Sequence, residues 1–189
     1  MSNVIEIREN GEIVLIRFIH PELKNPLSGD VLQAIDRCID KLDSKTQKLI
    51  FTGTGDCFAS GANLREIAAV SGKDAVGFAT RGQNLMRKIV AIRAVAAING
   101  ICYGGALDLA LACRRRIAAP QAEFCHPGPR LGIMTGWGGT QRLPRLVGES
   151  AALEMFLTAE PINAEKALKI GLVDQISPDP IGAAISSTI

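Results

Sequence analysis

The residues best placed to do chemistry begin with Asn99-Gly100, Gly104-Gly105 and Asp108, in a stretch that runs from Ala96 to Arg145. The apolar run ending at Asn99-Gly100 reads as a buried strand, the glycine pair as a tight turn, and Ala106 to Ala112 as an apolar helix. Neither glycine has a Cβ, so the backbone there can approach a ligand closely. The first amides of a helix lack intrahelical acceptors and point outward, which suits a negatively charged oxygen. Asp108 is the one acid in this apolar segment. Amide donors beside an isolated carboxylate suit a reaction that polarises a carbonyl and moves a proton. A second strand, glycine turn and helix start occurs at Phe58-Ala59-Ser60-Gly61-Ala62-Asn63, leading into LREIAAV. Cys125 and His126 are adjacent, but adjacency alone does not make a nucleophile and its base, and Cys125 reads as a small buried thiol.

The whole chain narrows the chemistry further. At 189 residues it is most simply one domain with a real core. A net charge of +2 calls for neither a nucleic acid nor a membrane surface, and the Arg114-Arg115-Arg116 cluster is short and poor in aromatics. No apolar run is long enough to span a bilayer, and the acids near the N-terminus do not suit a signal peptide. Five cysteines without CxxC pairing suggest reduced thiols and a cytoplasmic protein. The sequence has no GxxxxGK[ST], no GxGxxG after a strand and no GxSxG, which argues against a Walker loop, a dinucleotide site and a serine-hydrolase elbow. Its two histidines, His20 and His126, show no zinc-ligand spacing, so neither metal nor cofactor is expected.

The elements that must position these residues alternate between strand and helix. Val4–Arg8 and Ile13–Ile19 read as a hairpin around Asn10-Gly11. Ser28 or Asp30 can cap a helix carrying Leu32, Ile35, Ile39 and Leu42. Lys48–Thr52 reads as a buried strand, and Asp74–Ile92 as an amphipathic helix with Phe78, Leu85, Ile89 and Ile92 inward. Further helices are expected near Glu149–Leu157 and over Asn163–Ile170, with a last strand starting at Gly171. The pattern is that of an α/β protein. Residues 1–176 form the expected core domain and 177–189 a loosely held tail.

FASGANLREI resembles the pattern F-x-x-G-A-D-(I/L)-x-E, and INGICYGGALDLALAC resembles N-G-x-x-x-G-G-G-x-E-L. GWGGTQRLPRLVG, LTAEPINAEKALKIGLVD and the Asn25 loop add to the match. Together they resemble the crotonase superfamily, the enoyl-CoA hydratase/isomerase group, over nearly the whole chain. The resemblance implies a ClpP/crotonase-like spiral of β-β-α units, with the usual C-terminal helical region largely missing, and assembly as trimers or dimers of trimers. It implies an acyl-CoA substrate of fatty acid metabolism, whose thioester oxygen becomes an enolate held by the backbone amides of Ser60 and Gly105. It also implies substrate contacts along Lys24, Asn25 and Pro26 and along Ala59, Gly61, Ala62, Asn63 and Leu64. Gly104 and Gly128 belong to the same site, and Met134 and Trp137 shape the acyl pocket.

The departures from that pattern matter as much. The two glutamates that hold water in a hydratase fall at Asp108, one methylene shorter, and at Gly128, where the acid is gone. Asp108 is the expected acid/base. His126 is the expected proton donor beside the altered position, titrating near the working range. Hydration or isomerisation is the expected reaction by resemblance, and the glycine at 128 leans toward isomerisation, decarboxylation or hydrolysis. The alternative from another class is a catalytically impaired acyl-CoA-binding or assembly subunit.

Overall fold

The computed structural model describes residues 4–188. Its first two strands, β1 (Ile5–Asn10) and β2 (Ile13–Phe18), form the expected hairpin, with Asn10 opposite Ile13. Helix α1 (Gly29–Asp40) follows, and its cap is Ser28, whose hydroxyl accepts from the Val31 amide. Three successive turns of a spiral come next. In the first, β3 (Lys48–Thr52) leads to β4 (Cys57–Ala59), then to helices α2 (Leu64–Ala69) and α3 (Ala75–Val90). In the second, β5 (Ala94–Ile98) leads to β6 (Ile101–Tyr103) and α4 (Gly105–Ala112). In the third, β7 (Arg115–Ala118) leads to β8 (Glu123–Cys125), a 3₁₀ turn at Gly128–Leu131, and helices α5 (Gly139–Val147) and α6 (Glu149–Thr158). The chain closes with β9 (Ile162–Asn163), α7 (Ala164–Lys169), β10 (Gln175–Ile176) and α8 (Pro180–Ser186).

The first strand of each turn adds to a six-stranded sheet ordered β1-β2-β3-β5-β7-β10, and the second to a smaller sheet ordered β4-β6-β8-β9. The central pairings β2–β3, β3–β5, β5–β7, β4–β6 and β6–β8 are all parallel. Parallel sheets are normally covered on both faces, and β5, AVAAI, is buried at every position. Ala94, Ala96 and Ile98 face the main core with Leu85, Met86 and Ile89 of α3. Val95 and Ala97 face the other way, into a second cluster with Leu15, Ile50, Ile117 and Ala184.

That second cluster corrects one expectation. The segment 177–189 was expected to be loosely held, but within it α8 packs on the outer face of the sheet. Asp179 caps α8 by accepting from the Gly182 amide, and Ala184 is fully buried. Lys48 Nζ donates to the carbonyls of Ala184, Ile185 and Ser187 at 2.9, 2.7 and 2.6 Å, which satisfies the end of α8. Two local differences also appear. Gly171 adopts φ 78° just past α7, so the last strand begins later, at Gln175. The stretch after Trp137, read only as a motif, is a helix, with Pro144 inside it.

The corners between the two sheets hold the site in place. Asn99 accepts from the Gly53 amide at 2.9 Å and donates to the carbonyls of Gly55 and Cys57 at 3.0 and 3.3 Å. One side chain thereby ties the β3–β4 corner to the β5–β6 corner. The glycine turns after β4 and β6 are consequently set side by side.

Candidate active site

Both turns open on one cavity of about 340 Å³, at the low end of the ~300–1,000 Å³ typical of ligand pockets. At its floor α4 begins. The Gly104 amide donates to Cys125 at 2.8 Å, and the α4 ladder is joined from Asp108, whose amide donates to Gly104. Among the described residues no acceptor takes the Gly105 N–H, as a first-turn helix amide requires if it is to bind a ligand. The β4 turn reaches it through Gly61, which adopts φ 93°. A Cβ on Gly61 would lie 2.9 Å from the Gly105 nitrogen and 2.6 Å from the Tyr103 carbonyl, so only glycine permits this approach.

One of the two expected donors is corrected. The Ser60 amide donates to the Lys24 carbonyl at 2.9 Å, and Leu27 donates to Gly61 at 2.8 Å, which laces the 24–27 loop to the turn. The Ser60 N–H is therefore already engaged. Two residues on, the Ala62 N–H is taken by no acceptor among the described residues, and Ala62 lines the cavity. The free amide of this turn is therefore that of Ala62, two residues beyond the one expected from the sequence.

Asp108 is 0% exposed, one turn into α4. Its Oδ2 accepts from the Thr135 hydroxyl and, at 3.2 Å, from the Trp137 amide. Its Oδ1 has no partner. Burial pushes the carboxyl up to about 6, against the pull of the Thr135 and Trp137 hydrogen bonds, the Arg142 charge and the nearby Gly139 amide. The N-terminus of α5 presses against this carboxylate: a Cβ on Gly139 would lie 2.1 Å from Oδ1. Thr135 was not expected at the site. Its only signal in the sequence is a lone hydroxyl in the loop GIMTGWGG.

His126 is 2% exposed, and its Nε2 lies 3.7 Å from Asp108 Oδ1. Neither ring nitrogen has a hydrogen-bond partner. Burial lowers its pKa to about 4, so the expectation of a ready protonated donor is corrected to a neutral imidazole. The neighbouring Cys125 donates to the Ala159 carbonyl at 3.2 Å, and burial pushes its thiol up, away from a thiolate. Gly128 sits at the cavity wall, where a Cβ would come within 2.5 Å of the Ile133 carbonyl. A carboxylate at that position would require the loop to move.

Of the remaining expected site residues, Leu64, Gly104, Met134 and Trp137 line the cavity, together with Ile67, Val70 and Phe78, which the sequence did not assign to the site. Trp137 is packed against α3 and Gly105. Others are occupied elsewhere. Asn25 is 2% exposed, and its amide donates to the carbonyls of Cys57, Thr54 and Phe58 at 2.8, 3.3 and 3.4 Å, so it braces β4 rather than facing a ligand. Lys24 is exposed and pairs with both oxygens of Asp56 at 3.0 Å. Pro26 is half-buried outside the cavity, Ala59 is fully buried in β4, and Asn63 caps α2 by accepting from the Arg65 and Glu66 amides. Among the described residues no three His, Cys, Asp or Glu side chains converge to hold a metal ion, and no helix is long and apolar enough to cross a membrane.

Residues 8–181 match the profile of the enoyl-CoA hydratase/isomerase family. The chain belongs to that family. It is 40% identical over 167 residues to a probable enoyl-CoA hydratase of Bacillus subtilis, covering 86% of this chain and 65% of that protein. It is likewise 40% identical over 176 residues to a crotonyl-CoA hydratase of Syntrophomonas wolfei, covering 90% and 68%. DspI of Pseudomonas aeruginosa superposes with a TM-score of 0.92 at 36% identity, over 97% of this chain and 72% of that one. An enoyl-CoA hydratase from Bacillus anthracis superposes at 0.89 with 31% identity, over the same shares. The spiral of β-β-α turns is thus the crotonase fold. The chain spans about two thirds of the length of its curated relatives, from 65% to 69%.

Proposed function

We propose that this member of the family binds an acyl-CoA thioester and moves a proton at the carbon next to the thioester carbonyl, through an enolate. The observation that carries the reading is the Asp108 carboxylate. It is buried and fixed through Oδ2, its Oδ1 has no hydrogen-bond partner, and the residue lines the same cavity as Gly105, whose amide is free. The thioester oxygen rests on the Ala62 and Gly105 amides, which stabilise charge as it develops and need no reorganisation. The acyl chain lies against Phe78, Ile67 and Trp137. Lys24 is free to meet a CoA phosphate only by leaving Asp56, and an exposed, solvent-screened pair of that kind is weak.

The test is to incubate the protein in heavy water with a pool of saturated, enoyl and α-carboxyl acyl-CoA thioesters, and to follow their masses. Deuterium uptake at the α-carbon is the expected outcome. Binding without any change in mass would overturn the reading in favour of a thioester-binding subunit.

A pH dependence follows from the same carboxyl. Asp108 acts as the base and must be ionised, and burial has raised its pKa to about 6. The rate of α-exchange should therefore climb with pH through about 6 and level off above it. His126, neutral above about 4, adds no second limb in that range. A pH profile of kcat/KM checks this, and a flat profile from pH 5 to 8 would count against Asp108 as the base.

A further inference from the structure

Three buried polar atoms in the cavity wall lack partners: Asp108 Oδ1 and both ring nitrogens of His126. Buried polar atoms in folded proteins are nearly always hydrogen-bonded, so a cluster of unmet ones at a cavity points to a ligand. Their arrangement is specific. Oδ1 and Nε2 face each other at 3.7 Å, too far for a direct hydrogen bond and close enough for one water to reach both at about 2.8 Å. Neither group is free to turn away. Thr135 and the Trp137 amide hold Oδ2, and the imidazole lies against the Phe156 ring with centroids 5.1 Å apart.

We infer that His126 is a second catalytic residue: with Asp108 it holds the water that adds across the double bond of a 2-enoyl thioester. This rests on the enolate reading above and extends it to a reaction. With the ring proton on Nδ1, the water donates one O–H to Asp108 Oδ1 and the other to His126 Nε2. Both oxygen lone pairs are left for the β-carbon. As the C–O bond forms, Asp108 takes the first proton, and the double-bond electrons pass to the thioester oxygen on the two amides. Asp108 then returns that proton to the α-carbon. The second proton stays on the new hydroxyl, so His126 is never charged, and the reaction is balanced by one water. A neutral imidazole is the form this role needs. The role also removes the demand for a carboxylate at Gly128, where the Ile133 carbonyl leaves no room for a side chain.

The test compares two reactions of one protein: α-proton exchange of saturated acyl-CoA thioesters, which needs only Asp108 and the amides, and hydration of the matching 2-enoyl thioesters. His126→Leu keeps the volume beside Phe156 and removes both nitrogens, so it should fold. It is expected to lower kcat for hydration about 10²-fold or more, with KM little changed, and to reduce exchange far less than hydration. His126→Gln, which places an acceptor near the position of Nε2, is expected to recover at least about a tenth of the hydration. Equal loss of both reactions in His126→Leu, or hydration unchanged in it, would overturn the inference. So would an unaltered protein that exchanges α-protons but hydrates nothing. An unaltered protein that does neither removes the enolate reading itself.

Discussion

Asp108→Asn is expected to lower both α-exchange and hydration by about 10²–10⁴-fold, the usual worth of a positioned acid/base, while making the protein more stable. The two effects share one cause. Asparagine keeps an acceptor for Thr135 and the Trp137 amide at the Oδ2 position, so the local fold survives. It removes a carboxylate that burial disfavours. The folded-state pKa of about 6 lies above the ordinary 3.8, so the native state holds its proton more tightly than the unfolded chain. Stability therefore falls as pH rises from about 4 to about 6 and stays lower above that. A shift of that size corresponds to at most about 3 kcal/mol. Thermal melts of the two proteins should differ most at pH 7–8, with the variant higher, and should converge toward pH 4. A variant that melts lower at every pH would instead make Asp108 a structural group.

The largest loss of stability is expected from Arg116→Ala. Arg116 is 5% exposed and spends its guanidinium on three parts of the chain. Nε donates to the Leu172 carbonyl at 2.8 Å, Nη1 to the Cys113 carbonyl at 2.8 Å, and Nη2 to Asp174 at 3.0 Å. Removing it strands two carbonyls and leaves Asp174 only the Arg116 backbone amide. Asp174 is exposed and water replaces its lost partner, but each buried carbonyl left without its donor typically costs about 1–3 kcal/mol. Arg116→Lys should recover little, because a single ammonium cannot reach three acceptors set in a fork. The exposed Arg114→Ala is the control and should stay within about 0.5 kcal/mol. Urea unfolding of the three variants checks the ranking; an Arg116→Ala midpoint equal to that of Arg114→Ala would refute it.

Arg116 also shows where a local reading stops. Within the run Arg114-Arg115-Arg116 nothing distinguishes the three residues, and the cluster reads only as too short for nucleic acid. Their difference is made by a turn at Leu172 and Asp174, far along the chain.

Elements with short-range signals are legible in the residues alone. The Asn10-Gly11 turn, the Ser28 cap, the apolar α4 with its single acid, and the alternation of strand and helix all follow from backbone preferences and side-chain periods a few residues long. The two glycine turns with GGTQRL were enough to identify the family, and Asp108 was legible as the lone carboxylate beside the turn. Which groups remain unsatisfied follows from the folded packing, because it depends on partners from elsewhere in the chain. The Lys24 carbonyl occupies the Ser60 amide and leaves Ala62 free. Thr135 binds one oxygen of Asp108 and leaves the other bare. Asn25 is turned from a ligand contact into a brace for β4, and α8 is drawn onto the open face of the sheet. Burial, too, is a property of the whole packing. It moves the carboxyl of Asp108 up and the imidazole of His126 down, and nothing in the spacing of those two residues encodes it.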